Sequence, residues 1–193
     1  MHLRFLLKAL PGIRKVRLSD VRDGAAAALA KRAKDEGIFD GEIEVCATSE
    51  RCIAGADVIS TCTNGDEQII QPDWFKPGAF GVGIEGGCAY SAKALHQADK
   101  FIVDDIPQAE YFQKISIGRK TEKGDDCPEF PGGLPPVYST IGDIVAGKKN
   151  GRDSEAERII AIPIGMAICD VALGHVVYQR AEQSGAGQTF ALT

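Results

Sequence analysis

The chain has 193 residues and a formal net charge of −5, and its charged fraction of 25% is ordinary for a folded domain. The negative charge provides no basic surface for nucleic acid, and no apolar run reaches the ~20 residues that a membrane helix needs. Six cysteines without a C-x-x-C pair and three scattered histidines predict a cytoplasmic protein with reduced thiols and without a metal site.

The predicted elements alternate between helix and strand over most of the chain. A short apolar helix ends at Pro11-Gly12, and KVRLSD then predicts a buried strand that closes on Asp20. The elements after it are a helix in GAAAALAKRAKDEG, a strand in EIEVCA, a helix in SERCIAGA, strands in DVISTCTN and AFGVGI, a helix near residues 91–98, a strand in KFIVDD, a helix in TIGDIVAG, a strand in RIIAIP and a long helix in MAICDVALGHVVYQRAEQSG. This order predicts an α/β fold with a Rossmann-like, doubly wound, largely parallel sheet and helices on both faces.

Residues 118–136 interrupt the alternation. Their sequence, GRKTEKGDDCPEFPGGLPP, is dense in charge, glycine and proline, which predicts an exposed loop or excursion. Two interpretations stay open for this segment, a lid over a site and a contact between subunits.

Residues 81–86 read GVGIEG and match the G-x-G-x-x-G pattern of dinucleotide-binding turns. Such a turn needs a buried strand before it and a helix directly after it, so that free N–H groups face the pyrophosphate. Here a Pro77-Gly78 turn leaves almost no strand before the first glycine, and Val82 and Ile84 are typical strand residues. We therefore expect the glycines to lie inside a strand, where glycine marks the close approach of a ligand or another backbone.

The start of the chain matches the second half of the first Rossmann unit. That unit consists of a strand, a glycine-rich turn, a helix and a second strand ending in an acid that binds the ribose. HLRFLLKAL corresponds to the helix and KVRLSD to the second strand, so the first strand and its turn are expected to be missing before Met1. The empty position would leave an unpaired strand edge, which predicts a homodimer or a higher homo-oligomer.

Six segments follow one another in a specific order along the chain. They are VRLSD, ADVISTCTN, FKPGAF with EGGC, FIVDD, TIGDIVAGKKNGR and IPIGMAICDVALGHVVYQRAEQSGAG. Together they resemble the ornithine cyclodeaminase/μ-crystallin family, and the last segment is the most specific of them. The resemblance covers nearly the whole chain but only the cofactor-binding half of the family. It implies a cofactor-binding domain at 1–164 and, at 165–193, a helix that returns to a substrate and dimerisation domain.

The resemblance implies an NAD-binding protein that acts on a small amino-acid or imino-acid substrate. In the cyclodeaminase, hydride leaves the substrate Cα for the nicotinamide, the imine loses ammonia, the chain's own amine closes the ring, and the hydride returns. Relatives include alanine dehydrogenases, cyclic imine reductases and opine-type dehydrogenases. Two alternatives stay open, a truncated non-catalytic binding protein like μ-crystallin and one subunit of a split enzyme.

The family's pattern also implies a set of cofactor-binding residues. Asp20 matches the acid that binds the ribose hydroxyls and favours NAD over NADP, a preference that the nearby Arg22 weakens. The remaining matched positions lie at a T-x-T strand end, on the strand beneath the nicotinamide and at the start of the last helix: Thr61, Cys62, Thr63, Asn64, Val82, Gly83 and Gly165. Alternatively, Asp20 is a solvated turn residue and the T-x-T segment is an ordinary transition from strand to loop.

One candidate for a catalytic carboxylate lies in VGIEGGCAY. Cys88 aligns with the cysteine that follows the family's catalytic aspartate, but Gly87 stands at the aspartate position. Glu85 is the nearest carboxylate, and in that role it would orient or deprotonate the departing amine. Glu85 is therefore the expected catalytic residue, and the glycine segment is expected to run beneath the nicotinamide.

Overall fold

The structure is a computed structural model that describes residues 2–65, 67–121, 123–188 and 190. Its helices are α1 (His2–Ala9), α2 (Ala25–Asp35), α3 (Ser49–Ile53), α4 (Ala92–His96), α5 (Ile106–Ile115), α6 (Ile141–Val145) and α7 (Ala167–Ser184), with a 3-10 turn at Pro72–Trp74. Its strands are β1 (Lys15–Leu18), β2 (Glu42–Val45), β3 (Val58–Thr61), β4 (Phe80–Gly83), β5 (Lys100–Val103), β6 (Ser139–Thr140) and β7 (Ile159–Ile162). Residues 189 and 191–193, at the end of the predicted C-terminal segment, lie outside the described residues.

The strands pair in parallel and form two sheets. One sheet contains β1 and β2, and the other has the order β3-β4-β7-β5-β6. Helices flank the larger sheet, which confirms the predicted Rossmann-like α/β class. In the described part of the chain, β1 and β3 each have one edge without a partner strand. Arg17 of β1 is bound to the C-terminal end of α3, the helix that precedes β3: its Nη1 donates to the carbonyl oxygens of Arg51 and Ala54, both at 2.9 Å.

The core surrounds the middle of the larger sheet. Every residue of β5 and β7 is buried, as expected for parallel strands that are covered on both faces. By contrast, no residue of β1 is buried, so the expectation of a buried strand in KVRLSD is wrong on this point. The physical reason is that a two-stranded sheet packed mainly against α2 has too little cover to enclose a strand.

The expectation of an exposed loop at 118–136 is wrong for its second half. Residues 123–126 are exposed, but Cys127, Glu129 and Phe130 are buried. The Phe130 ring is 0% exposed and meets Phe101 of β5 edge to face, with ring centroids 5.8 Å apart. This apolar contact holds the excursion against the sheet.

Two elements were not predicted from the sequence. The helix α5 is preceded by its N-cap Asp105, whose side chain accepts a hydrogen bond from the Gln108 N–H at 2.7 Å, and Pro107 lies in its first turn. Strand β6 contains only Ser139–Thr140, too short to produce a periodic pattern. None of the helices in the described ranges is long and apolar enough to cross a membrane.

Candidate functional site

The predicted site residues lie at the carboxyl ends of parallel strands. Asp20 follows β1, Thr61 ends β3, Gly83 ends β4 and Gly165 follows β7. This edge is where ligands bind in open parallel sheets. Thr61 and Gly83 are paired across β3 and β4, whereas Asp20 belongs to the smaller sheet.

The Asp20 carboxylate is engaged by Arg22. The Arg22 Nε and Nη2 atoms donate to the two oxygens of Asp20, both at 3.2 Å, and the Arg22 backbone N–H donates to Oδ1 at 2.9 Å. These hydrogen bonds hold the pKa of Asp20 below its ordinary value, so the carboxylate is ionised at neutral pH. An ionised carboxylate at the end of this strand can accept hydrogen bonds from ribose hydroxyls. To do so, Asp20 must accept them in addition to the hydrogen bonds from Arg22 or in their place.

The four residues from Thr61 to Asn64 change from buried to exposed as they leave β3. Thr61 is buried, and its hydroxyl donates to the Val82 carbonyl at 3.4 Å. The Cys62 thiol is exposed and lies 3.7 Å from the Ser60 hydroxyl, while Thr63 is half-buried and Asn64 is exposed. Exposed polar groups that follow a buried strand end are available to a ligand at this edge.

Gly81 and Gly83 of GVGIEG lie inside β4, as predicted, and α4 begins only at Ala92. The expectation is wrong for Gly86, because the chain turns at residues 84–85 after the strand has ended. A Cβ atom on Gly81 would lie 3.0 Å from the Phe75 ring and 3.2 Å from the Tyr90 hydroxyl oxygen. One on Gly83 would lie 2.7 Å from the Gly86 carbonyl oxygen and 3.0 Å from the Tyr90 ring. On this side of β4, glycine therefore makes room for the protein's own aromatic rings.

Glu85 lies just beyond the end of β4 and is half-buried. Both of its carboxylate oxygens are buried, and neither makes a hydrogen bond to any described residue. Burial raises the pKa of Glu85. The Thr61 hydroxyl and the backbone N–H groups of Glu85, Thr63 and Ile84 are close enough to offset part of the increase, although none of them meets the geometry of a hydrogen bond. A carboxyl group that is partly desolvated in this way can hold a proton and release it to a bound substrate.

The structure adds Tyr90 to this group. Its hydroxyl is buried and has no hydrogen-bond partner among the described residues, and the side chain is 0% exposed. Desolvation raises the pKa of Tyr90, so the phenol stays protonated. No pattern in the sequence separates this tyrosine from an ordinary core residue.

Two side chains from the β5–α5 junction hold Gly165. Asp104 Oδ2 accepts from the Gly165 N–H at 2.5 Å, and Gln108 Nε2 donates to the Gly165 carbonyl at 2.8 Å. Gly165 has a φ of +99°, which favours glycine, and a Cβ atom there would meet nothing within 4 Å. The open space fits the close approach of a ligand. Sequence reasoning missed Asp104 and Gln108, although the acidic pair that ends FIVDD was a visible signal.

Three features at these strand ends are of interest for ligand binding. An ionised acid follows β1 in the smaller sheet, and an unobstructed glycine follows β7 in the larger one. A carboxyl group that has no hydrogen-bond partner among the described residues follows β4, the neighbour of β7. Among the residues that the structure describes, no group of three or more His, Cys, Asp or Glu side chains could hold a metal ion.

Comparison with known proteins agrees with the fold. A model of the ornithine cyclodeaminase/mu-crystallin family matches residues 2–185. Alanine dehydrogenase of Archaeoglobus fulgidus is 31% identical over 185 residues, which are 94% of this chain and 53% of that protein. The chain therefore spans about half the length of the curated relatives that it matches.

Two solved structures are similar over nearly all of the chain. An archaeal alanine dehydrogenase dimer with bound NAD has a TM-score of 0.76 at 28% identity, covering 98% of this chain and 57% of that one. Delta(1)-pyrroline-2-carboxylate reductase of Thermococcus litoralis, in complex with NADH and L-proline, has a TM-score of 0.73 at 19% identity, covering 97% and 57%.

Proposed function

The chain belongs to the ornithine cyclodeaminase/mu-crystallin family, and on this basis we propose that it is the NAD-binding portion of an enzyme that transfers hydride at the Cα of a small amino or imino acid. The observation that carries the proposal is Glu85, whose two carboxylate oxygens are buried and make no hydrogen bond to a described residue, at the edge where parallel strands bind ligands. NAD supplies the hydride acceptor, and NADH the donor. The enzyme acts in the cytoplasm.

In this proposal Glu85 moves the proton that accompanies hydride transfer. When an imino acid is reduced, hydride adds to the imine carbon, and the protonated Glu85 carboxyl gives its proton to the nitrogen, so that an amino acid and a carboxylate result. Oxidation of an amino acid reverses both transfers. The raised pKa of Glu85 suits this exchange because it brings the group closer to the pH at which the enzyme works.

The cofactor is held along the carboxyl edge of the sheet. Asp20 accepts hydrogen bonds from the ribose, which favours NAD over NADP, and Arg22 is placed to reduce that preference. The other residues of the proposed site are Thr61, Cys62, Thr63, Asn64, Val82, Gly83 and Gly165.

The length of the relatives, of which this chain spans about half, supports the proposed domain arrangement. Residues 1–164 form the cofactor-binding domain, and residues 165–193 lead to a substrate-binding and dimerisation domain that belongs to the other half of such proteins. A strand from outside the described residues pairs with the open edges of β1 and β3, and the active protein is a homodimer or a higher homo-oligomer. A second polypeptide could supply the same strand in a split enzyme.

A non-catalytic binding protein is the second candidate. It is favoured by Gly87, which stands where the family pattern has its catalytic aspartate. In that case the chain binds the dinucleotide but Glu85 has no role in a reaction.

Binding and turnover of the same protein distinguish these proposals. NADH binding is measured by the nicotinamide fluorescence, and turnover by NADH oxidation with Delta(1)-pyrroline-2-carboxylate or with pyruvate and ammonia. Because the proposal assigns substrate binding to the other half of such proteins, the protein assayed contains both halves. We expect it to bind and oxidise NADH, and its Glu85→Gln variant to bind NADH equally well but to lose at least about 100-fold in rate. Binding without turnover would support the second candidate, and a wild-type protein that fails to bind NADH would contradict both.

A further inference from the structure

We propose that Glu129 is a positioning residue for Glu85: its carboxylate fixes the Gly86–Gly87 peptide, and so holds Glu85 in its buried position. This inference rests on the proposed function, because it gives Glu129 a role only if Glu85 takes part in proton transfer. It also gives a function to the buried part of the excursion, residues 127–131, which supports the site.

The first observation is that the glycine pair is shaped around Glu129 and Phe130. A Cβ atom on Gly86 would lie 2.0 Å from Glu129 Oε1, and one on Gly87 would lie 2.6 Å from the Glu129 carbonyl oxygen and 2.8 Å from the Phe130 ring. A side chain at Gly87 would require the backbone of the excursion to move, and one at Gly86 would displace the Glu129 carboxylate. The lack of side chains at Gly86 and Gly87 therefore leaves the space that Glu129 and Phe130 occupy.

The second observation is a buried hydrogen bond between the two segments. Glu129 is 8% exposed, and its Oε1 accepts from the Gly87 N–H at 3.3 Å, across 42 residues of sequence. A buried N–H without a partner is costly, so this contact stabilises one conformation of the turn that carries Glu85.

The third observation is that hydrogen bonds to α5 and to the residue after it hold the backbone at Glu129. Its backbone N–H donates to the Ser116 hydroxyl at 2.7 Å, and the next N–H, that of Phe130, donates to Gln113 Oε1 at 3.0 Å. Both partners lie at the end of α5 or directly after it. The position of the carboxylate is therefore determined by α5 and by the Phe130 ring in the core.

The charges around the two carboxyl groups are few. Arg119 Nη1 lies 4.0 Å from Glu129 Oε2, and burial raises the pKa of Glu129 despite this cation. The other titratable groups near Glu129 are the thiols of Cys88 and Cys127. Near Glu85 they are Cys62, Cys88 and Tyr90. Burial raises the pKa of Cys62, Cys88 and Tyr90, so these groups are neutral at neutral pH. The position of Glu85 therefore matters more to its titration than the charges near it.

Two substitutions separate position from charge. Glu129→Gln keeps the length of the side chain and an acceptor oxygen but removes the charge, whereas Glu129→Asp keeps the charge but is too short to reach the Gly87 N–H. The control is Asp126→Asn, on the same excursion, where an exposed carboxylate pairs with Lys120 at 2.6 Å. The readout is the titration of the Glu85 carboxyl carbon by NMR in 13C-glutamate-labelled protein, assigned with Glu85→Gln.

We expect the titration midpoint of Glu85 to depend on the length of the side chain at position 129 and not on its charge. In Glu129→Asp the turn loosens, Glu85 reaches water, and its midpoint falls towards the ordinary value of 4.5. Glu129→Gln and Asp126→Asn leave the midpoint within about 0.2 units of the wild type. In the imine-reduction assay, Glu129→Asp lowers kcat about tenfold with little change in the KM for NADH. A midpoint that falls in Glu129→Gln and not in Glu129→Asp would overturn the proposal.

A measurement on the wild-type chain covers the case in which Glu129→Asp does not fold. The amide proton of Gly87 should shift with pH at the midpoint of Glu129, and an amide without that inflection would overturn the proposal. Because both NMR readouts are independent of turnover, they can succeed even if Glu85→Gln keeps full activity. That result would refute the proposed function alone.

Discussion

The Arg22 guanidinium binds both oxygens of Asp20, with Nε and Nη2 each at 3.2 Å. The pair lies at the end of β1, where the acid of a Rossmann-like fold meets the ribose of its cofactor. Asp20 is 30% exposed and Arg22 is 79% exposed, so the guanidinium can leave the carboxylate and turn towards a ligand at little cost.

Replacing Arg22 should sharpen the choice between the two cofactors. In Arg22→Gln the Asp20 carboxylate is free to accept from the ribose hydroxyls and repels a 2′-phosphate without compensation. We expect the ratio of NADH to NADPH affinity to rise about tenfold, which is ~1.4 kcal/mol. Fluorescence titration with both cofactors measures the ratio. The control is Arg4→Gln, which breaks a surface ion pair with Glu36 and should leave the ratio unchanged.

Glu85→Gln should stabilise the protein at high pH only. Burial raises the pKa of Glu85 in the folded state above 4.5, so the unfolded chain ionises first as the pH rises. The contribution of Glu85 to the free energy of unfolding therefore falls between pH 4.5 and the pKa of the folded state, and it is constant above that pKa. Below about pH 4 the carboxyl group is protonated in both the folded and the unfolded state. We expect Glu85→Gln to raise the Tm by about 3 °C at pH 8 and to match the wild type at pH 4.

The measurement for this prediction is thermal unfolding followed by circular dichroism at both pH values. The exposed Glu110→Gln serves as a control that should differ little from the wild type at either pH. A Glu85→Gln protein that is less stable than the wild type at pH 8 would show that the ionised carboxylate is a favourable part of the fold.

A side chain at Gly83 should destabilise the sheet. The Cβ of Gly83→Ala would meet the Gly86 carbonyl oxygen at 2.7 Å and Ile162 at 2.9 Å, at the buried end of β4. We expect a loss of about 1–3 kcal/mol in the free energy of unfolding, measured by urea denaturation. The matched control is Gly174→Ala in α7, where the Cβ meets nothing within 4 Å and the better helix former should be neutral or stabilising.

Phe130→Ala should detach the second half of the excursion. The ring is 0% exposed, and its removal leaves a cavity beside Phe101, so we expect a loss of about 3–5 kcal/mol. The exposed Ile117→Ala, just before the excursion, should change the unfolding free energy by less than ~0.5 kcal/mol. Similar urea midpoints for the two variants would contradict the assignment of Phe130 to the core.

The sequence predicted those parts of the fold that have a local signal. The glycines of β4 could be assigned to a strand because Val82 and Ile84 alternate with them, and the long helix α7 ends at Gly185 as expected. The helix α5 was not predicted. Its N-cap, Asp105, is the last residue of FIVDD and was therefore assigned to the end of the preceding strand.

The candidate site depends on contacts that no local pattern encodes. Glu129 meets Gly87 across 42 residues, and Asp104 meets Gly165 across 61. The composition of 118–136 is typical of an exposed loop, yet the apolar and small residues after Asp126 place Phe130 in the core. Burial of a charged segment of this kind is decided by its tertiary partners.

The position of β7 in the strand order has a consequence for synthesis of the chain. This strand is the last of the seven described, but it lies between β4 and β5. During synthesis on the ribosome, β4 and β5 each lack a neighbouring strand until residues 159–162 emerge. Until then the pairs β3–β4 and β5–β6 are separate and have open apolar edges. Closure of the large sheet is then a late event with high contact order, and the nascent protein is most vulnerable to aggregation just before it.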